Sequence, residues 1–90
     1  MVKTDLINKL NEASKYLNNN DKAIEANELE DLSKQLQDVT ISKEKSEEIK
    51  KNILNRCDIR WLGEIYIKEM DTMYKWWNFL GEIKVLAEKL

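Results

Sequence analysis

The chain has 90 residues, 42% of them apolar and 36% charged, with 15 Lys and Arg against 17 Asp and Glu for a net charge of −2. That length suits one domain, and the mixed signs exclude the whole-chain basicity that nucleic acid or an anionic membrane surface would attract. Zero His and a single Cys exclude an intramolecular disulfide, a Cys-cluster zinc site and His-based acid–base chemistry, while zero Pro and two Gly argue against a turn-rich all-β design.

The opening Met1-Val2-Lys3-Thr4-Asp5 has no apolar core of the kind a signal peptide carries. A single unpaired thiol without an export signal leads to the expectation of a cytoplasmic protein, and the many Asn, Lys and Ile residues hint at a bacterial or phage source. Thr4, with Asp5 behind it, can cap a first helix over 4–17, whose Leu6, Leu10, Ala13 and Leu17 recur at helical spacing. Asn18-Asn19-Asn20-Asp21 breaks it, and its last residues can cap a second helix over 21–38. Leu29, Leu32, Leu36 and Val39 stripe that helix, and the short link predicts a helical hairpin. Ser42 is the expected cap of a third helix over 43–57, striped by Ile49, Ile53 and Cys57. The stripe then changes direction at Ile59, so a break near Cys57-Asp58 is expected, with Asp58 capping a new start.

Residues 58–90 carry the strongest pattern. Positions 59, 62, 66, 69, 73, 76, 80, 83, 87 and 90 are Ile, Leu, Tyr, Glu, Met, Trp, Leu, Ile, Ala and Leu, a seam with heptad phase and Glu69 as its one polar member. Leu62-Gly63-Glu64-Ile65 is echoed by Leu80-Gly81-Glu82-Ile83, five helical turns later. The unbroken phase predicts one continuous helix over 59–89, about 46 Å long at ~1.5 Å per residue. A break at Asp71-Thr72, either of which could cap, is the alternative. The predicted fold is therefore all-α, a small helical bundle in which an N-terminal hairpin and a third helix pack on a long C-terminal helix.

Catalytic equipment is thin. Neither Cys57 nor the serines have a His to activate them, and Gly63 and Gly81 stand singly within helical sequence, where they build no phosphate loop. The carboxylate groups Glu25, Glu28, Asp31 and Glu44, Glu47, Glu48 read as solvated faces, and no metal or cofactor is expected. In 43–60 the cations Lys43, Lys45, Lys50, Lys51, Arg56 and Arg60 spread around the helix without forming one basic face, which counts against nucleic acid as the partner. The polar face of 58–90 mixes both charges, unlike an interfacial helix, and no apolar run is long enough to span a bilayer.

Six of the seven aromatics lie in 58–90. Trp61, Tyr66, Trp76 and Phe79 are accounted for as core on or beside the seam. A second row, Ile67, Met70, Tyr74, Trp77, Gly81 and Val85, sits about 100° round from it and is more apolar surface than narrow Leu-and-Ala stripes readily cover. This row is the expected contact for a protein partner or a second copy of the chain. The predicted function is that of a small non-enzymatic interaction or regulatory protein of immunity, antitoxin-like, phage-encoded inhibitor or adaptor type. A nucleic-acid-binding transcriptional regulator using helix 43–57 is the alternative.

Overall fold

The computed structural model describes residues 2–38, 40–58 and 61–90. Met1, Val39, Ile59 and Arg60 lie outside the described residues, and with them one member of the second-helix stripe, the first seam position and one cation of the 43–60 stretch. Four α-helices follow in order: α1 (Val2–Asn19), α2 (Ala23–Leu36), α3 (Lys43–Arg56) and α4 (Met73–Glu88), with a 3₁₀ turn at Leu62–Glu64. The fold is an all-α bundle. α1 packs most extensively on α2, α4 contacts α1 and α3, and α3 also touches α2.

Each helix buries the stripe that its spacing marks out. Leu6, Leu10, Ala13 and Leu17 of α1 are fully buried, as are Ala26 and Leu29 of α2, Ile49 and Ile53 of α3, and Trp76, Ile83 and Ala87 of α4. Removing these side chains from water is the main stabilising term, ~1.5–3 kcal/mol for each large aliphatic. Trp76 stacks on Phe79 (centroids 5.8 Å, 9° between planes), and Tyr16 of α1 meets both rings edge-on. This ring cluster joins α1 to α4.

The ends of the helices depart from the sequence reading in informative ways. α1 begins at Val2, so Thr4 lies inside it and Asp5 is a first-turn acid that suits the helix dipole. Its C-terminus is closed by Asp21 in the left-handed region (φ 62°), with Lys22 N–H donating to Leu17 O at 2.9 Å and Asp21 N–H to Asn18 O at 3.3 Å. That 6→1 and 5→2 pairing is a Schellman ending with Asp where Gly is usual. Asp21 thus ends α1 and does not cap α2, whose N-cap residue is Lys22 without a side-chain cap bond. Ser42 does cap α3, accepting from Lys45 N–H at 3.1 Å.

The continuous helix over 59–89 is not formed. Residues 65–72 are irregular, and α4 starts afresh at Met73 behind Thr72, whose hydroxyl accepts from Lys75 N–H. The cap expected at Asp58 would act on residues 59 and 60, outside the described residues; the Asp58 carbonyl receives Trp61 and Gly63 N–H. The reason lies in hydrogen-bond demand. Trp76 Nε1–H donates to Leu62 O and Trp77 Nε1–H to Gly63 O, both at 2.7 Å. On one helix those partners, 14 residues apart, would stand about 21 Å away along the axis. Folding the 61–72 segment back therefore supplies acceptors for two buried or half-buried indoles, and it keeps the bundle within 38 × 22 × 22 Å.

Asn19 and Asn20 hold the returning segment. Asn20 Nδ2 donates to Glu69 Oε1 (2.8 Å) and to Tyr16 O (2.7 Å), Asn20 Oδ1 accepts from Lys68 N–H (3.0 Å), and Asn19 Nδ2 donates to Glu69 Oε2 (3.2 Å). Glu69, the polar member of the seam, is exposed, and its partners are the two side-chain amides.

Candidate docking groove

Of the six residues in the predicted partner row, the structure brings four together. Tyr74, Trp77, Gly81 and Val85, spaced by 3, 4 and 4, line one face of α4. Ile67 and Met70 belong to the irregular segment and point elsewhere: Ile67 is 2% exposed within the core, and Met70 is half-buried against it. Both are thus removed from the exposed row by the break at 65–72.

Trp77, Gly81 and Val85, with Leu86, form one wall of a groove of about 910 Å³ whose other wall is α1, through Asp5, Asn8, Lys9 and Glu12. Tyr74, outside the lining, is 71% exposed, with its ring edge-on to Trp77 at 5.4 Å. Trp77 is held from behind by its bond to Gly63 O, so its exposed face is fixed in position. Gly81 is the notch in this wall. Among the described residues a Cβ built there meets nothing within 4 Å, which leaves open space between the side chains of Trp77 and Val85, one turn to either side.

Lys9 ties the floor together. Its ammonium lies 2.6 Å from Glu82 Oε2 and 4.9 Å from the centroid of Phe79. The bond to Glu82 is the main reason its pKa is raised, and Glu12 adds to the effect. The α1 wall is what the sequence reading missed. Asp5, Asn8 and Glu12 recur at spacings of 3 and 4 beside the Leu6–Leu10 stripe, but a polar row on an amphipathic helix does not reveal which neighbour it borders.

Other candidate chemistry resolves differently. Burial pushes the Cys57 thiol up to about 12, so it is no thiolate nucleophile near neutral pH. Among the described residues no three His, Cys, Asp or Glu are grouped to hold a metal ion. Trp61, 59% exposed, already has Arg56 over its ring at 5.2 Å, and Arg56 also pairs with Glu28 at 3.3 Å. On α3, Lys45 pairs with Glu48 and Lys50 donates to Glu88 O. Three cations of the proposed nucleic-acid helix thus face partners on this chain. No helix of the described residues is long and apolar enough to cross a membrane. No family model, curated protein or solved structure significantly matches the chain.

Proposed function

We propose that the protein is a non-enzymatic interaction module, of adaptor or inhibitor type, that receives a helix of a protein partner in the groove between α1 and α4. The observation that carries this reading is Gly81. Glycine inside a helix costs about 1 kcal/mol relative to Ala, and among the described residues nothing occupies the space that a side chain would take. The fold therefore has no packing need for it, whereas a bulky side chain arriving from outside fits between Trp77 and Val85. A rigid aromatic beside an open notch is the form of an interaction hot spot, and helix-in-groove docking uses such anchors once per turn or two.

The test is selection of a randomised helical peptide library displayed on phage, against wild type and against Gly81→Leu. Filling the notch removes the binding feature without disturbing the core, so peptides enriched on wild type should be lost on Gly81→Leu while that variant melts no lower than wild type. Equal enrichment on both proteins, or none on either, refutes the reading. Trp77→Ala is a weaker test, because it also removes the indole bond to the 3₁₀ turn.

A further inference from the structure

We infer that the occupant of this groove is a cationic amphipathic helix of a different protein, carrying Lys or Arg two turns apart on either side of one bulky apolar residue, and not a second copy of this chain. The inference rests on the docking reading above and adds the chemistry of the partner.

Charge makes the distinction. Four charged side chains line the groove, and Lys9 is already engaged by Glu82. Asp5 and Glu12 remain, both exposed, and among the described residues neither forms an ion pair. They stand seven residues apart on α1, so their carboxylates are separated by about 10.5 Å along the helix. Along α4 the groove presents Trp77, Val85 and Leu86 beside Asn78 and a Glu82 neutralised by Lys9, and along α1 it keeps two unpaired carboxylates. A helix lying between these walls meets the Gly81 notch with an apolar knob and the α1 edge with two side chains, which complementarity requires to be positive. A second copy fails this requirement. A two-fold contact through the groove would offer Asp5 and Glu12 only the other copy's groove residues, whose one cation, Lys9, is already held by Glu82.

The peptides recovered from the displayed helical library on wild type are the probe, synthesised both as selected and with each Lys and Arg changed to Glu. The expected result is enrichment of Lys or Arg at positions seven apart and affinity for the selected peptides at least about tenfold above their Glu forms. Because exposed charges are screened over ~8–10 Å at physiological salt, that gap should narrow sharply at high ionic strength. It should close in Asp5→Asn/Glu12→Gln. Peptides that are enriched and lost on Gly81→Leu, but carry no excess of cations, overturn the inference and leave the docking reading standing. A concentration-dependent dimer in light scattering that Gly81→Leu abolishes assigns the groove to a second copy and also overturns it. A library that yields nothing dependent on Gly81 removes the docking reading and this inference together.

Discussion

Gly81 is the residue where fold and proposed function diverge. Its conformation is ordinary α-helix and a Cβ would meet nothing, so Gly81→Ala should raise stability by about 0.5–1 kcal/mol. Urea unfolding followed by circular dichroism measures this, and a loss of stability would mean that the space is needed inside the fold. Asp21 is the opposite case, a non-glycine residue at φ 62°. Removing the side chain that makes this conformation tolerable, as in Asp21→Ala, should cost about 1 kcal/mol, whereas Asp21→Gly should be at least neutral. A melt in which the Ala and Gly variants coincide would contradict the Schellman assignment.

At the scale of elements, α4 is both core and site. Leu80 is 2% exposed on the seam, and Leu80→Ala should cost about 2–5 kcal/mol through lost burial and a residual cavity. A cost below ~0.5 kcal/mol, the range of surface substitutions, would remove the seam from the core. The break before α4 has its own signature in hydrogen exchange. Amides of α4 beyond its first turn should be protected, and those of Tyr66 and Asp71 should exchange quickly, whereas a continuous helix would protect them all.

The same stretch separates what periodicity reveals from what it conceals. Spacing at 3 and 4 identified Trp76, Leu80, Ile83 and Ala87 as buried because burial on one helix is a property of local geometry. It also placed Tyr66 and Glu69 on the seam, and both are exposed, with Ile67 buried in their stead. What overrode the pattern was a tertiary requirement, two indole donors seeking carbonyls 14 residues upstream. Likewise Tyr74, Trp77, Gly81 and Val85 were legible as a row, but the groove needed α1, and no spacing within α4 indicates which helix becomes its neighbour.

Acid should weaken the fold at three carboxylates. Hydrogen bonds from Asn20, and then Asn19, hold the Glu69 carboxyl below its ordinary pKa, and Lys75 and Thr40 do the same for Asp71 and Asp38. A group with a depressed folded pKa contributes stability above its unfolded value, ~3.9 for Asp and ~4.3 for Glu, and loses it as pH falls through the folded value. Stability should therefore be flat from neutral pH to about 5 and decline below ~4. Glu69→Gln, which cannot accept through two equivalent oxygens, should show a shallower decline in the same urea titration. An unchanged slope would mean that the Asn19–Asn20 clamp contributes nothing that titrates.

All three tryptophans lie in α4 or in the loop that carries the chain from α3 into it, and the α1–α2 hairpin has none. Trp76 and Trp77 are each hydrogen-bonded to that returning loop and Trp61 lies on it. Intrinsic tryptophan emission thus reports the C-terminal half and its contact with Tyr16 of α1, while far-ultraviolet ellipticity weighs every helix. If Tyr16, wedged against Trp76 and Phe79, couples the halves into one cooperative unit, the two signals will trace a single denaturation curve. If that wedge is loosened, as in Tyr16→Ala, the emission curve should move to lower denaturant ahead of the ellipticity, and the hairpin will report its own independence.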